Sequence, residues 1–164
     1  MEKSDTNFVL KQEELLKFRS LVLATIDYYL ENEEIQIKNS GFDSFEYYKN
    51  LKVQTEEYFQ KGKLSILKKW FRDLSEMQIQ CMDLKFNEYL KEKTKLNVNI
   101  FESYFKRIEN IIVKEKITSD NEFYEVNNFI ENLSQIKPID NIKIEQLNIL
   151  MRDYEQRKSK RKAH

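Results

Sequence analysis

Histidine, glycine and proline are nearly absent from this sequence, and their scarcity excludes most catalytic and cofactor chemistry. The one histidine, His164, stands at the C-terminal end, and the one proline is Pro138. A histidine at a chain end is not held rigidly enough for general acid–base catalysis, and zinc sites need clusters of cysteine and histidine. The two glycines, Gly41 and Gly62, stand in no phosphate-binding motif. We therefore expect a non-enzymatic protein with no catalytic residue, no cofactor and no metal ligand.

The chain has a single cysteine, Cys81, so an internal disulfide is excluded and a reducing compartment fits. Residues 1–5 show no basic segment leading into an apolar one, as a secretion signal requires. The longest uncharged apolar stretch, 20–26, is far shorter than the roughly 20 residues that span a membrane. We expect a cytoplasmic protein that does not cross a membrane.

Charge is balanced over the whole chain but unevenly distributed along it. The 28 basic and 28 acidic residues give a net charge of zero. Residues 150–164 carry a net charge of +4, and residues 1–149 therefore carry −4. An acidic body offers no broad basic surface to nucleic acid. We interpret 156–164 as a basic C-terminal tail.

The sequence is rich in helical periodicity. Apolar residues recur at steps of three and four along most of the chain, which is the pattern of amphipathic helices. We predict helices over about 8–33, 44–61 and 63–94, then a fourth that ends near residue 117 and two further ones. Polar residues of the types that cap helix N-termini precede four of them: Asp43, Asn99, Ser119 and Asp140. Gly62 is placed to end the second helix in a left-handed conformation.

The helix predicted over 63–94 has two apolar rows, so we place it at the centre of the fold. One row is Leu67, Trp70, Leu74, Met77, Cys81 and Leu84, and the other is Ile79, Met82, Phe86 and Leu90. A helix that is apolar on two sides is covered on two sides, so we expect Trp70 and Cys81 to be buried. The predicted fold class is all-α: a single-domain bundle of five to six helices around this central helix, with the domain over 1–155.

Aromatic residues make up 13% of the chain, and four tyrosines form two adjacent pairs. Neighbouring residues on a helix point about 100° apart, so one tyrosine of each pair is expected near the surface. Exposed tyrosines are common anchors of protein interfaces. The protein-interface candidates are therefore Tyr28, Tyr29, Tyr47 and Tyr48. The alternative is that they lie at the boundary of the core with their hydroxyls in water.

A cluster of basic residues near the C-terminus supplies the second group of candidates: Arg157, Lys158, Lys160, Arg161 and Lys162. Such residues are commonly solvated at a helix C-terminus, where the helix dipole favours them. They can also bind an acidic partner or the phosphates of nucleic acid. The basic and aromatic segment 68–72 offers a second nucleic-acid surface, although the same pattern is typical of a core helix with a lysine face.

Three functions remain open. The favoured hypothesis is a small cytoplasmic protein-interaction module, such as an adaptor, inhibitor, immunity protein or accessory subunit, that binds a protein partner or a second copy through aromatic and apolar helix faces. The alternative is a nucleic-acid-associated accessory protein that uses the basic C-terminal tail. The third is a carboxylate-dependent metalloenzyme built on Glu31 and Glu34, whose spacing places both carboxylates on one helix face.

Overall fold

The computed structural model describes residues 2–32, 37–39, 41–134 and 140–162, with the side chains of 2–7 and 161–162 left out. Within these ranges the chain forms seven helices and one short hairpin, which confirms the all-α class. The helices are α1 (Glu2–Glu31), α2 (Ser44–Gln60), α3 (Leu64–Gln80), α4 (Leu84–Thr94), α5 (Glu102–Val113), α6 (Asp120–Leu133) and α7 (Asn141–Lys162). The antiparallel hairpin strands are β1 (Lys38–Asn39) and β2 (Phe42–Asp43).

The chain divides into two compact units. Unit 1 comprises Met1–Met77 and Leu84–Val98, and unit 2 comprises Gln78–Asp83 and Asn99–His164. The chain therefore passes between the units three times: within the last turn of α3, immediately before α4, and between α4 and α5. The single domain expected over 1–155 stays a prediction, and so does the separate tail over 156–164.

Unit 1 is organised around α1, which packs against α2 and α4. Residues 8–14 of α1 are exposed, and its buried face begins at Leu15. Three fully or largely buried side chains form a core cluster, with five half-buried side chains packed around it: Val22, Ile26 and Leu51, then Leu30, Tyr48, Trp70, Phe71 and Leu74. Trp70, which was expected to be buried, is half-buried and packs against this cluster, and its ring meets that of Tyr58 edge-on at 5.2 Å between centroids.

The single central helix predicted over 63–94 is wrong, and the bundle arranged around it is not confirmed. Residues 81–83 interrupt the helix, and Met82 adopts a left-handed φ of 48°. Cys81 lies in this turn and is exposed rather than buried. Neither glycine nor proline marks the interruption. The one local signal is Asp83, a residue type favoured just before a helix start.

The interruption decides which of the two predicted apolar rows is buried. The first row is covered only in its N-terminal half, because Met77 is 63% exposed and Leu84 is 50% exposed. The second row is divided: Phe86 and Leu90 are fully buried in unit 1, whereas Ile79 and Met82 belong to the segment assigned to unit 2. Breaking the helix changes the direction of the chain, so one continuous stripe cannot stay on a single buried face.

Four consecutive helices, α2 to α5, are each followed by a left-handed residue. These residues are Gly62, Met82, Lys95 and Glu115, with φ angles of 64°, 48°, 59° and 49°. Glycine adopts this conformation without a steric penalty, whereas the other residue types are strained there. The predicted left-handed end at Gly62 is confirmed. The other three positions hold no glycine, so the sequence does not mark these helix ends. For this reason the end of α5 was predicted near residue 117, whereas the helix ends at Val113.

Unit 2 contains α5, α6 and α7, with α6 packed against both of its neighbours. Its core is formed by buried aromatic and branched side chains: Tyr104, Ile108, Ile111, Ile117, Val126, Phe129 and Leu147. Helix α7 buries Leu147 and Leu150 and half-buries Tyr154 and Arg157, which follow at helical spacing. The same helix continues to Lys162, so the backbone of 156–162 is helical.

Three of the four predicted caps are confirmed by side-chain hydrogen bonds. Asp43 accepts from the backbone N–H groups of the first turn of α2 at 3.0 and 3.3 Å. Ser119 accepts from Glu122 N at 3.2 Å, and Asp140 accepts from Lys143 N at 3.0 Å. Asn99 is not the N-cap residue of α5, because that position is Phe101, but its side-chain oxygen accepts from Phe101 N at 3.0 Å.

Candidate functional site

The four tyrosines predicted as interface residues lie together in unit 1. Tyr28 and Tyr29 stand near the end of α1, and Tyr47 and Tyr48 stand in the first turns of α2. One stacked contact joins the two pairs: the rings of Tyr29 and Tyr48 are 4.8 Å apart at their centroids and only 9° from parallel. Two pairs from distant parts of the sequence thus form one cluster.

This cluster is part of a continuous row of six aromatic rings, which we call the aromatic row. In spatial order its members are Tyr89, Tyr28, Tyr29, Tyr48, Tyr47 and Phe42. Neighbouring centroids are 4.8 to 6.2 Å apart. Most neighbours meet at a tilt or edge-on, which is the geometry that aromatic pairs prefer at this distance.

The middle of the aromatic row is anchored in the core of unit 1. Tyr29 is only 5% exposed, and its hydroxyl donates to the carbonyl oxygen of Leu74 at 2.6 Å. Tyr48 is half-buried, and the pKa of its phenol is raised. Burial is the main cause, and the nearby phenol of Tyr47 is the second. Tyr28 packs its ring against the buried Phe86, with 4.9 Å between centroids.

The row reaches the surface at the hairpin and the first turn of α2. Three exposed rings stand there, which we call the outer aromatic patch: Phe42 (43% exposed), Phe45 (38%) and Tyr47 (46%). Phe42 and Tyr47 contact each other at 5.6 Å between centroids. The backbone beneath them is well fixed, because Ser44 exchanges two hydrogen bonds with Ile37. The outer aromatic patch is therefore a defined surface on an ordered backbone.

The charged groups around the aromatic row are paired with one another. The four ion pairs are Lys38–Asp43 (3.2 Å), Lys49–Glu46 (3.4 Å), Lys52–Asp27 (2.6 Å) and Lys93–Glu31 (3.0 Å). All involve partly exposed side chains, so each contributes little to stability. Their effect is that these eight described side chains around the rings carry no net charge.

Glu31, proposed from the sequence as a metal ligand, uses both of its carboxylate oxygens within the protein. One accepts from the hydroxyl of Tyr89 at 2.8 Å and the other from Lys93 at 3.0 Å. These two hydrogen bonds hold the pKa of Glu31 below its usual range, and the one from Lys93 has the larger effect. The pKa of Tyr89 is raised to about 12, mainly by burial and secondly by the hydrogen bond that its hydroxyl donates to Glu31. Glu34 lies outside the described residues. Within the residues that the structure describes, no group of three or more acidic, histidine or cysteine side chains is placed to hold a metal ion.

Two of the predicted basic residues line a cleft in unit 2, which we call the α6–α7 cleft. Its volume is about 350 Å³, and its lining residues are Lys116, Thr118, Asp120, Tyr154, Arg157 and Lys158. Lys160 is exposed on α7. Arg161 and Lys162 belong to the last helical turn, and their side chains lie outside the described part of the chain. The structure therefore separates Arg157 and Lys158 from the rest of the predicted cluster.

The two basic residues of the cleft have different partners. Lys158 forms an ion pair with Asp120, which also accepts from the hydroxyl of Tyr154 at 2.7 Å. Arg157 donates to two backbone carbonyl oxygens, at 2.9 and 3.2 Å. Its guanidinium carbon lies 5.6 Å from the centroid of the Tyr154 ring, within cation–π range. A carboxylate thus neutralises Lys158 but does not neutralise Arg157.

Sequence reasoning missed Tyr89 and Phe42 in the aromatic row and Lys116 and Tyr154 in the cleft. None of these residues belongs to a recognisable motif, and each joins its site through contacts between distant segments. Tyr89 contacts Glu31 across 58 positions of sequence, for example. Helical spacing reports the face on which a residue lies, but it does not report which other helix that face meets.

No helix in the described residues combines the length and apolar character needed to cross a membrane. Comparisons of the chain with models of protein families, with curated proteins and with solved structures find no match.

Proposed function

We propose that the protein is a cytoplasmic protein-interaction module that binds its partner through the outer aromatic patch. The observation that carries the proposal is the aromatic row, because it connects two exposed rings of the patch, Phe42 and Tyr47, to the buried Tyr29. An adaptor, inhibitor, immunity protein or accessory subunit would each need such a surface. The partner is another protein or a second copy of this chain.

Aromatic rings suit this role because they bury a large area at a low entropic cost. A tyrosine or phenylalanine has two side-chain torsions, so little freedom is lost when it is covered. In this protein Tyr47 already contacts rings on both sides, Phe42 at 5.6 Å and Tyr48 at 5.4 Å. A side chain that is ordered before binding loses less entropy on association.

The paired charges around the outer aromatic patch favour a protein partner over a strongly charged ligand. Two ion pairs, each without net charge, lie next to the rings: Lys38 with Asp43, and Lys49 with Glu46. An interface with an apolar centre and a mixed polar rim is the common arrangement in protein complexes. Rim charges of this kind mainly set orientation and association rate.

The proposal is tested by affinity capture from the native cell with three versions of the tagged protein. These are the wild type, the double variant Phe42→Ala with Tyr47→Ala, and the control Val53→Ala. Val53 is an apolar residue of α2, the helix that also contains Tyr47. It is 61% exposed and does not belong to the aromatic row. Nuclease treatment of each sample removes partners that are held only by nucleic acid.

We expect a stoichiometric partner with the wild type and with Val53→Ala. The double variant should retain at least about tenfold less, because truncating an interface anchor commonly costs ~1–2 kcal/mol. Sedimentation velocity on the same three proteins covers the case in which the partner is a second copy. Equal recovery with all three proteins, together with equal sedimentation, would contradict the proposal.

A further inference from the structure

The α6–α7 cleft differs from the aromatic row because positive charge is left over in it. Three cations and one carboxylate line the cleft, and Asp120 pairs with Lys158. The nearby Glu122 is occupied by Lys114 and by the backbone and hydroxyl of Thr118. Two cations therefore remain for a bound anion.

These two cations are available in different ways. Lys116 is exposed and forms no ion pair or hydrogen bond with the described residues. Arg157 is held in position by its two carbonyl contacts, which use only two of its five N–H donors. The remaining donors of a fixed guanidinium match the oxygens of a phosphate group. Arg157 is therefore the preorganised part of the cleft, and Lys116 is the adaptable part.

Aromatic rings stand beside these cations. The guanidinium carbon of Arg157 and the ammonium of Lys158 lie 5.6 and 5.9 Å from the centroid of the Tyr154 ring, which also contacts Phe123 at 5.5 Å. Phe123 in turn contacts Tyr124 at 6.0 Å, and Tyr124 is 64% exposed. Tyr124 is thus linked to the cleft through the rings of Phe123 and Tyr154. Cations combined with exposed aromatic rings bind single-stranded nucleic acid, by contacting the backbone phosphates and stacking on a base.

We infer that the α6–α7 cleft binds single-stranded nucleic acid, with a backbone phosphate at Arg157 and Lys116 and a base stacked on Tyr124. The cleft volume of about 350 Å³ suits a group of the size of one nucleotide. Lys160 adds a further exposed cation on α7, two residues after Lys158. The inference is independent of the outer aromatic patch, because it concerns a different surface in the other unit.

The test is fluorescence anisotropy of a labelled single-stranded oligonucleotide with the full chain at low salt. Three variants with exposed substitutions are compared: Lys116→Gln, Tyr124→Ala and the control Lys106→Gln. Lys106 is an exposed lysine of unit 2 that has no partner among the described residues, so its variant removes the same charge elsewhere. Circular dichroism verifies that all variants are folded.

We expect the wild type and Lys106→Gln to bind with similar affinity. Tyr124→Ala should bind at least about fivefold more weakly, which is the lower end of the effect of losing one stacked base. Lys116→Gln should weaken binding and reduce the slope of log affinity against log salt by about 0.7, the value for one phosphate contact on a single strand.

Two results would overturn the inference. The first is an absence of oligonucleotide binding at low salt, or equal affinity for all three variants. The second is that a labelled oligoglutamate peptide binds with the same affinity as the oligonucleotide, and that this affinity falls in Lys116→Gln but not in Tyr124→Ala. That second result would assign the cleft to an acidic protein segment.

Discussion

The aromatic row of unit 1 and the α6–α7 cleft of unit 2 are built from the same residue types but leave different surfaces. In both, lysines or arginines lie close to tyrosine rings. In unit 1 the cations around the rings are matched by carboxylates within 3.4 Å. In unit 2, Arg157 meets only carbonyl oxygens and Lys116 has no described partner. The pairing of charges therefore separates the two surfaces, and the number of aromatic residues does not.

This difference has a direct energetic meaning. A cation that already has a carboxylate partner must lose that partner before it can bind an external anion. An uncompensated cation keeps its full attraction for a phosphate, and this attraction decreases with salt. The outer aromatic patch consequently relies on burial of apolar area, whereas the cleft relies on charge supported by stacking.

The largest expected effect comes from removing the ring that anchors the aromatic row. Tyr29→Ala should lower the free energy of unfolding by about 3–5 kcal/mol, because it leaves a cavity among buried side chains and removes the hydrogen bond to the carbonyl oxygen of Leu74. Tyr124→Ala in unit 2 should change it by less than about 0.5 kcal/mol, since that ring is mostly exposed. Urea unfolding followed by circular dichroism measures both. Similar values for the two variants would mean that the row is not anchored in the core.

The helix caps test whether the two units unfold together. Asp43→Ala removes a cap in unit 1 and Ser119→Ala removes one in unit 2, and each should cost about 1 kcal/mol. If residues 1–155 form one cooperative domain, both variants shift a single calorimetric transition. If the units unfold separately, each variant shifts only one of two transitions. Asp43→Asn is the control, because asparagine caps as well as aspartate.

The sequence predicts the parts of the fold that depend on local chemistry. The N-terminal caps at Asp43, Ser119 and Asp140 and the left-handed Gly62 follow from the preferences of single residues, and the structure confirms them. The periodicity of apolar residues likewise predicts the all-α class. It does not predict the break near Cys81, because no local residue type requires one.

The candidate sites were only partly predictable for the same reason. The spacing of Tyr28 and Tyr29 predicts that one ring of the pair is more exposed than the other, as observed. It does not predict the stacking of Tyr29 on Tyr48, which depends on how α1 meets α2. In unit 2 the basic cluster was visible in the sequence. The sequence does not show that Arg157 is held apart from this cluster by its hydrogen bond to the carbonyl oxygen of Ile117, which is 40 positions away.

The left-handed residues allow a stabilising test in each unit. Lys95→Gly in unit 1 and Glu115→Gly in unit 2 should each raise the free energy of unfolding by about 0.5–1 kcal/mol. The gain arises because relief of the strained φ exceeds the entropy that glycine adds to the unfolded chain. Gly62→Ala should have the opposite sign and lower stability by about 1 kcal/mol. Thermal unfolding of the three variants checks these signs, and a loss of stability for both new glycines would contradict the account of the helix ends.

The smallest expected effects concern two tyrosines, one in each unit, whose pKa values are raised. Burial is the main cause in both cases, and it raises the pKa values of Tyr89 and Tyr104 from 10.0 to about 12. The second cause differs, since Tyr89 donates a hydrogen bond to Glu31 whereas Tyr104 is near the charge of Glu125. Titration of tyrosinate absorbance should therefore show a late-ionising group of tyrosines, and Tyr89→Phe and Tyr104→Phe should each remove one tyrosine from it.

The sign of the accompanying change in stability follows from which state keeps the proton. Between about pH 10 and 12 these phenols ionise in the unfolded chain while the folded chain keeps them protonated, so the free energy of unfolding falls as pH rises through this window. Each Tyr→Phe variant should show a shallower decline. Glu31→Gln should lower the pKa of Tyr89 but not that of Tyr104, and only part of the way to 10.0, because burial remains. An unchanged Tyr89 titration in Glu31→Gln would show that this carboxylate does not hold the end of the aromatic row as its hydrogen bond indicates.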